Sequence, residues 1–133
     1  RASRFLKEKF NLSCEVINLG STTNIEVSKI FQSLAKTGNL LVCDTSWGPY
    51  GVAAELSRLI CEFNPGILKS PMKSVVLEFT PCPTGKSLED VFYPNIRKMV
   101  RETLDLLECS YSETDLPTGI SYRDYYKKFR GPF

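Results

Sequence analysis

The sequence predicts a single α/β domain in which helices flank a mostly parallel sheet. Short apolar segments of strand length alternate with segments whose apolar residues recur at helical spacing, an order typical of parallel sheets. The strongest strand segment ends abruptly at a polar residue, as buried parallel strands often do. The chain has 133 residues, which is enough for one domain with a hydrophobic core.

The first half of the chain contains two predicted helices and two predicted strands. Residues 2–10 are predicted to form a short helix, and Cys14–Leu19 the first strand. Thr23 and Glu26 have the spacing of a capping box, which predicts the start of the second helix. The apolar segment Leu40–Asp44 is the second predicted strand.

The second half continues the alternation and ends differently. Apolar residues at helical spacing predict a helix over residues 52–63, and Ser74–Phe79 is the third predicted strand. Prolines in residues 81–85 predict an irregular loop before a long helix over Pro94–Leu107. Aromatic residues in 121–129 favour a closing pair of antiparallel strands. After the first helix, the predicted order is therefore β-α-β-α-β-α-β-β.

Composition excludes several classes of function. The absence of histidine removes Ser–His and Cys–His catalysis and most zinc sites, so no metal is predicted. The five cysteines are scattered and never form a CxxC pair, which favours a reducing, intracellular compartment: cytoplasm, nucleus or organelle matrix. The apolar runs are too short to span a membrane. A net charge of +2 means that any nucleic-acid contact requires a local basic patch.

The segment NLLVCDTSW contains the strongest candidate for a site. Its apolar run stops at Asp44, where the strand leaves the sheet, and ligands bind beyond the carboxyl ends of such strands. Asp44 has two interpretations: it contacts a ligand, or it caps the turn that follows through its neighbours. Trp47 and Tyr50 come next, and their rings either stack on a base or pack against the adjacent helix.

The stretch from Asn39 to Val100 resembles a known family of enzymes. LLVCDTSWGPYGVAAELSRL, ICEFNPG and SVVLEF are similar to a strand ending in aspartate, its helix and turn, and the next strand of class I methyltransferases of the FtsJ-like type. These enzymes use S-adenosylmethionine to methylate ribose 2′-hydroxyls in RNA. The resemblance implies a Rossmann-like sheet and matches the C-terminal half of such a domain.

The resemblance also implies site residues. A family lysine position is occupied here by a glutamate, with a lysine several residues further on, so the implied catalytic set is Asp44, Glu78 and Lys86. This sequence lacks the family's glycine-rich cofactor loop, and after the first predicted strand it has a single glycine, Gly20. The implied residues for binding S-adenosylmethionine are Gly20, Asp44, Thr45 and Trp47.

Basic residues near the end of the chain are candidates for RNA contact. Arg97 and Arg101 lie on the predicted solvent side of the last helix. The tail adds Lys127, Lys128 and Arg130 among tyrosines, a mixture that suits phosphate contact and base stacking. The alternative is a solvated charged face with tyrosines that favour strand structure.

Besides a different Rossmann-like nucleotide-binding domain, which stays open because a fold does not determine a function, two functions remain open from the sequence. The first is an RNA methyltransferase domain over residues 1–133, as a fragment that lacks the glycine-rich half. The second is a non-catalytic methyltransferase-like module that binds RNA or protein in a larger assembly. The chain begins without methionine, as if inside a helix, which favours a fragment or a processed product. Whether it is an enzyme depends on the missing half.

Overall fold

A computed structural model describes residues 1–118, apart from the side chains of Lys86, Ser87 and Asp90. The predicted hairpin at residues 121–129 lies outside this range. The described elements are α1 (Ala2–Phe10), α2 (Val27–Thr37), β1 (Leu41–Trp47), α3 (Val52–Phe63), the 3₁₀ turn η1 (Pro65–Ile67), β2 (Lys73–Leu77), α4 (Lys86–Phe92), α5 (Ile96–Leu106) and the 3₁₀ turn η2 (Glu113–Asp115).

The sheet of the described range consists of β1 and β2, which run parallel. This confirms the second and third predicted strands as parallel neighbours, with altered ends. β1 continues past Asp44 to Trp47, and β2 stops at Leu77, two residues before the predicted end at Phe79. The helix predicted over residues 52–63 is confirmed as α3, and that over 2–10 as α1.

The first predicted strand is wrong, so the predicted three-stranded arrangement is reduced to two strands in the described residues. Cys14–Leu19 is irregular backbone, and Val16 within it is 76% exposed. An apolar run becomes a strand only where a neighbouring strand accepts its hydrogen bonds, and no described strand pairs with this one. Instead the Glu15 carboxylate accepts a 2.8 Å hydrogen bond from the Ser33 hydroxyl on α2.

Two local predictions also need correction. The capping box does not form, because Thr23 pairs with the Ser21 hydroxyl, and α2 begins at Val27 without a side-chain cap. The proline-containing loop is followed by α4, a helix of 7 residues that was not predicted. α5 then starts at Ile96, where the Asn95 side chain accepts a hydrogen bond from the backbone N–H of Lys98 at 2.9 Å.

The helices cover both faces of the sheet. Val76 packs against the first core, which is formed by α2, α3 and Val42. Lys73, three residues earlier on β2, reaches Glu102 on α5. Because side chains alternate along a strand, these two residues lie on opposite faces, so α3 and α5 do so as well. The first core consists of Ile30, Leu34, Val42, Ala53, Leu56, Leu59 and Ile60.

A second core joins the two ends of the described chain. Leu6 on α1 packs with Val100 and Leu104 on α5 and with Leu116 after η2. Val100 and Leu104 are fully buried. The segments that meet here are separated by more than 80 residues in sequence, so this core closes the described fold. Across residues 1–118, no helix is both long and apolar enough to cross a bilayer.

Candidate functional site

The carboxyl end of β1 departs from regular pairing, and Asp44 lies at the departure. Cys43 pairs with Val75, and the next pair is Trp47 with Leu77, so β1 inserts two extra residues between them. The Asp44 carboxylate accepts a 2.8 Å hydrogen bond from the backbone N–H of Thr45 and another from the Ser46 hydroxyl. Such bulges redirect side chains at sheet ends. Asp44 thus makes the local hydrogen bonds of its structural interpretation.

The turn after β1 is tightly closed. A side chain at Gly51 would clash with the Trp47 carbonyl oxygen and would lie 2.6 Å from the Ser46 hydroxyl. Tyr50, just before it, has a φ of 61° and is 99% exposed. A bulky residue in the left-handed region is uncommon and marks a constrained turn. The turn therefore presents an aromatic ring fully to solvent at the start of α3.

An open cavity of about 360 Å³ lies at this edge of the sheet. The ends of both strands line it together with α4 and the loop before it. The polar side-chain groups of its lining residues include three hydroxyls and a thiol, and the Cys82 sulfur lies 3.6 Å from the Tyr93 hydroxyl. The lining residues are Thr45, Ser46, Trp47, Leu77, Cys82, Phe92 and Tyr93. The remaining groups are apolar or aromatic, a composition suited to contact with another apolar surface.

Large apolar side chains are exposed near the ends of the two strands and on α4. The Trp47 ring packs edge-on against Phe79, with 5.2 Å between ring centroids, yet these residues are 50% and 65% exposed. Leu88 and Val91 on α4 are 59% and 64% exposed. We call the set Trp47, Tyr50, Phe79, Leu88, Val91 and Tyr93 the carboxyl-edge surface. Sequence reasoning singled out Trp47 and Tyr50 but missed Phe79 and the α4 residues, because α4 itself was not predicted.

The other residues of the implied methyltransferase site are scattered over different environments. Glu78 follows β2 and is exposed, and its side chain does not line the cavity. Lys86 is the first residue of α4, and its side chain is outside the described atoms. Gly20 has a φ of 68° in an exposed loop, with no atom within 4 Å of the position a Cβ would take. Thr45 and Trp47 do line the cavity.

Metal binding has no support in the described part of the chain. No group of three or more cysteine, aspartate and glutamate side chains there is arranged to hold an ion. The five cysteines, all within the described range, are free thiols. Part of the Cys43 side chain is exposed, but desolvation by the surrounding atoms raises the pKa of its thiol to about 11, so this thiol stays protonated near neutral pH.

The two arginines on α5 are engaged in ion pairs. Glu113 in η2 accepts hydrogen bonds from Arg97 and, at 2.8 Å, from Arg101. Arg97 also donates to the Pro117 carbonyl oxygen at 3.3 Å. The Arg97 guanidinium, with Arg101 beside it, lowers the pKa of the Glu113 carboxyl. These cations are therefore already partnered within the protein. Lys127, Lys128 and Arg130 lie outside the described residues.

A second ion pair ties η2 to α1. Lys9 and Asp115 lie 3.0 Å apart, and Asp115 also accepts a hydrogen bond from the Ser112 backbone N–H at 2.9 Å. The Ser112 hydroxyl completes a capping box by accepting a hydrogen bond from the Asp115 backbone N–H. Chiefly because of the Ser112 backbone N–H, the pKa of Asp115 falls from 3.8 to about 2. We call the paired residues Lys9, Arg97, Arg101, Glu113 and Asp115 the charged clasp.

Comparison with known proteins identifies one protein family and several similar enzyme subunits. Residues 1–99 match the family described as "Transketolase, C-terminal domain". "Pyruvate dehydrogenase E1 component subunit beta, mitochondrial" of Saccharomyces cerevisiae is 31% identical over 109 residues, which cover 79% of this chain and 30% of that protein. The Mus musculus protein of the same name is 33% identical over 104 residues, covering 74% and 28%.

A bacterial relative carries a different name. "Acetoin:2,6-dichlorophenolindophenol oxidoreductase subunit beta" of Bacillus subtilis is 30% identical over 96 residues, which cover 72% of this chain and 28% of that protein. The chain thus spans less than a third of the length of these relatives.

These matches overturn the methyltransferase interpretation, in both its catalytic and its non-catalytic form. S-adenosylmethionine as cofactor and the RNA-binding function fall with it, and the roles implied for Asp44, Glu78 and Lys86 lose their basis. The resemblance misled because a strand that ends in aspartate, followed by a helix, recurs in many unrelated α/β sheets. Since the family match extends over 99 of 133 residues, the chain belongs to the transketolase C-terminal domain family.

Proposed function

We propose that this chain is the C-terminal domain of a β subunit of the pyruvate dehydrogenase E1 type and that it serves to hold protein partners. The observation that carries the proposal is the match to the S. cerevisiae β subunit, which extends over 79% of the chain. That relative is named as a subunit of a component, so it works together with other polypeptides. On this proposal the chemistry of the assembly lies outside residues 1–118.

The carboxyl-edge surface supports a role in protein contact. Trp47 and Phe79 form a ring pair that is at least half exposed. Contiguous exposed apolar groups on a soluble domain mark interaction sites, and aromatic side chains are enriched at the centres of protein interfaces. The charged clasp, in contrast, is internally paired and supports the fold.

The B. subtilis relative favours a second candidate, the β subunit of an acetoin-oxidising enzyme. Its identity to this chain and its coverage are close to those of the S. cerevisiae protein. Both candidates assign the same assembly role to the domain and differ in the substrate of the whole enzyme. The first candidate also puts the chain in the mitochondrion, because the S. cerevisiae and M. musculus relatives are named for that location.

A chimeric β subunit tests the proposal. The matched segment of the S. cerevisiae pyruvate dehydrogenase E1 β subunit is replaced by this chain, and the chimera is produced in yeast that lacks its own β subunit. We expect the chimera to enter the E1 assembly and to restore part of the pyruvate dehydrogenase activity. Co-purification with the other E1 subunit and activity in mitochondrial extracts are measured.

A matched control separates assembly from folding. The same chimera with Val100→Asp puts a charge at a fully buried position of the second core and should fail to fold. A chimera that resists limited proteolysis but stays unassembled would contradict the proposal. Assembly without activity on pyruvate, but with activity on acetoin, would favour the second candidate.

A further inference from the structure

After α5 ends, the chain runs back along that helix in a segment that we call the strap, residues 108–117. The Tyr111 hydroxyl donates a 2.7 Å hydrogen bond to the Asp105 carboxylate in the last turn of α5. Further along the strap, the Pro117 carbonyl oxygen accepts a 3.3 Å hydrogen bond from Arg97 in the first turn. The contacts therefore move from the end of α5 to its beginning, so the strap lies antiparallel to the helix.

The strap is anchored in the second core by one fully buried side chain. Leu116 is 2% exposed and packs with Leu6 on α1 and with Leu104 on α5. Cys109 and Tyr111 pack against the same core but are only partly buried. The closed strap thus covers apolar side chains that belong to two helices.

The other ties of the strap are ion pairs at exposed positions, those of the charged clasp. The paired side chains remain between 38% and 64% exposed. Ion pairs between such side chains contribute little stability, and salt screens them. In addition, the buried Nε of Arg101 has no hydrogen-bond partner among the described residues, which opposes closure. The strap is therefore held closed by a small balance of opposing contributions.

The first core is built without the strap. Among the described residues that form this core or pack against it, none belongs to α1, to α5 or to the strap. α5 also has its own link to the sheet, because Lys73 on β2 donates a 2.9 Å hydrogen bond to Glu102. The strap can therefore leave α5 without disturbing the packing of α2 and α3.

We propose that the strap is a salt-dependent closure: it covers α1 and α5 at low salt and opens as salt rises, while the first core stays folded. Opening separates the Glu113 and Asp115 carboxylates from their cationic partners and uncovers Leu6 and Leu104. The match to the transketolase C-terminal family ends at residue 99, before the strap begins. The closure is thus a property of this chain that does not depend on the proposed assembly function.

Hydrogen exchange of the full chain tests the closure. Exchange is followed by mass spectrometry at about 0.05 M and at about 1 M sodium chloride, between which the screening length shortens several-fold. Each rate is divided by that of the unfolded chain at the same salt concentration. We expect the strap amides, among them the Asp115 N–H that donates to the Ser112 carbonyl at 2.9 Å, to exchange at least about threefold faster at high salt. Amides of α3 should keep the same rate.

A pair of double variants assigns the effect to the clasp. Glu113→Gln with Asp115→Asn removes both carboxylates of the strap that form ion pairs, so its amides should exchange faster at low salt and lose their salt dependence. The matched control is Glu55→Gln with Glu62→Gln. These two carboxylates, which are 46% and 54% exposed, pair with Arg58 on the surface of α3. The control should leave exchange in the strap, and its salt dependence, unchanged.

Four results would overturn the inference. Salt could leave exchange in the strap unchanged, or it could accelerate the strap and α3 equally, which would show unfolding of the whole domain. The clasp variant could keep the salt dependence, or the control variant could match it in effect. The comparison of the two salt concentrations uses the unmodified chain, so it decides the matter even where a variant fails to fold. It needs no assembled enzyme, so failure of the chimera and failure of this test are distinguishable.

Discussion

The carboxyl-edge surface and the charged clasp both lie at the protein surface, but their side chains differ in how far they are paired within the fold. At the carboxyl edge, large apolar residues such as Phe79 remain 65% exposed, and nearby carboxylates have no ion-pair partner in the described residues. In the clasp, Glu113 pairs with Arg97 and Arg101, and Asp115 pairs with Lys9. In the clasp both carboxylates are paired, although the buried Arg101 Nε has no hydrogen-bond partner among the described residues, whereas the large apolar side chains at the carboxyl edge stay exposed. We therefore propose that pairing within the fold, more than charge or exposure alone, distinguishes the clasp, which supports the fold, from the carboxyl edge.

The largest expected effect is at the core beneath the clasp. Leu104 is fully buried in the second core. Leu104→Ala should lower the free energy of unfolding by about 2–5 kcal/mol, because a cavity replaces the packed side chain. Denaturant unfolding measures this change. Val91→Ala at the carboxyl edge, where the residue is 64% exposed, is the matched control and should change stability by less than about 0.5 kcal/mol. Equal losses would show that the two regions do not differ as described.

The next effect concerns the turn that presents Trp47 and Tyr50. Gly51→Ala should destabilise the protein by about 1–3 kcal/mol, because the added methyl group has no room beside the Trp47 carbonyl. The fluorescence of Trp47 should change with it. At Gly66 the nearest atom is 3.9 Å from the position a Cβ would take, so Gly66→Ala serves as the control. Unfolding and fluorescence of both variants are compared. If Gly51→Ala behaves like Gly66→Ala, the turn is not tightly constrained.

The clasp should show a dependence on acid. The pKa of Asp115 is lowered from 3.8 to about 2, so its contribution to stability is complete above pH 3.8 and is lost as pH falls through about 2. In Asp115→Asn this contribution is absent at every pH. The difference in free energy of unfolding between the two proteins should therefore shrink over that range. Denaturant unfolding at several pH values measures it, and a constant difference would contradict the assignment.

The smallest expected effect on stability is at Tyr50. Tyr50→Gly relieves a left-handed conformation but adds freedom to the unfolded chain, so stability should change by no more than about 1 kcal/mol. The fluorescence of Trp47 should stay as in the unmodified chain, because the change removes an exposed ring and leaves the turn in place. Thermal unfolding and Trp47 fluorescence are measured on the same sample. A large loss of stability would mean that the Tyr50 ring packs within the protein and is not available to a partner.

Elements that are determined by the local spacing of apolar residues could be predicted from the sequence. α3 was predicted with its residues, since Leu56, Leu59 and Ile60 recur at helical spacing and form one buried face. The two strands were predicted as parallel neighbours. Cys14–Leu19 has an equally apolar sequence, but strand formation needs a partner that the segment itself does not specify. The second core joins α1 to α5, and contacts between such distant segments leave no periodic signal.

The sequence indicated the carboxyl edge of the sheet, whereas a functional site at that edge stays a prediction. The end of the apolar run at Asp44 indicated the carboxyl edge of the sheet, which is where the cavity lies. The two-residue insertion in β1 could not be foreseen, because register depends on β2. The arginines of α5 suggested RNA contact because their partner, Glu113, follows them by more than ten residues and its position depends on the path of the chain. A charged residue in a sequence does not reveal whether it is paired.

The assembly of paired chimeras tests the central claim most directly. The S. cerevisiae β-subunit chimera is prepared with Phe79→Ser, which alters the carboxyl-edge surface, and separately with Glu113→Gln, which alters the charged clasp. Sedimentation of each purified, protease-resistant chimera with the other E1 subunit measures assembly. We predict that the Phe79→Ser chimera stays unassembled and that the Glu113→Gln chimera assembles as the unmodified one does. Assembly of the first with failure of the second would contradict the account, because the docking surface would then be the clasp.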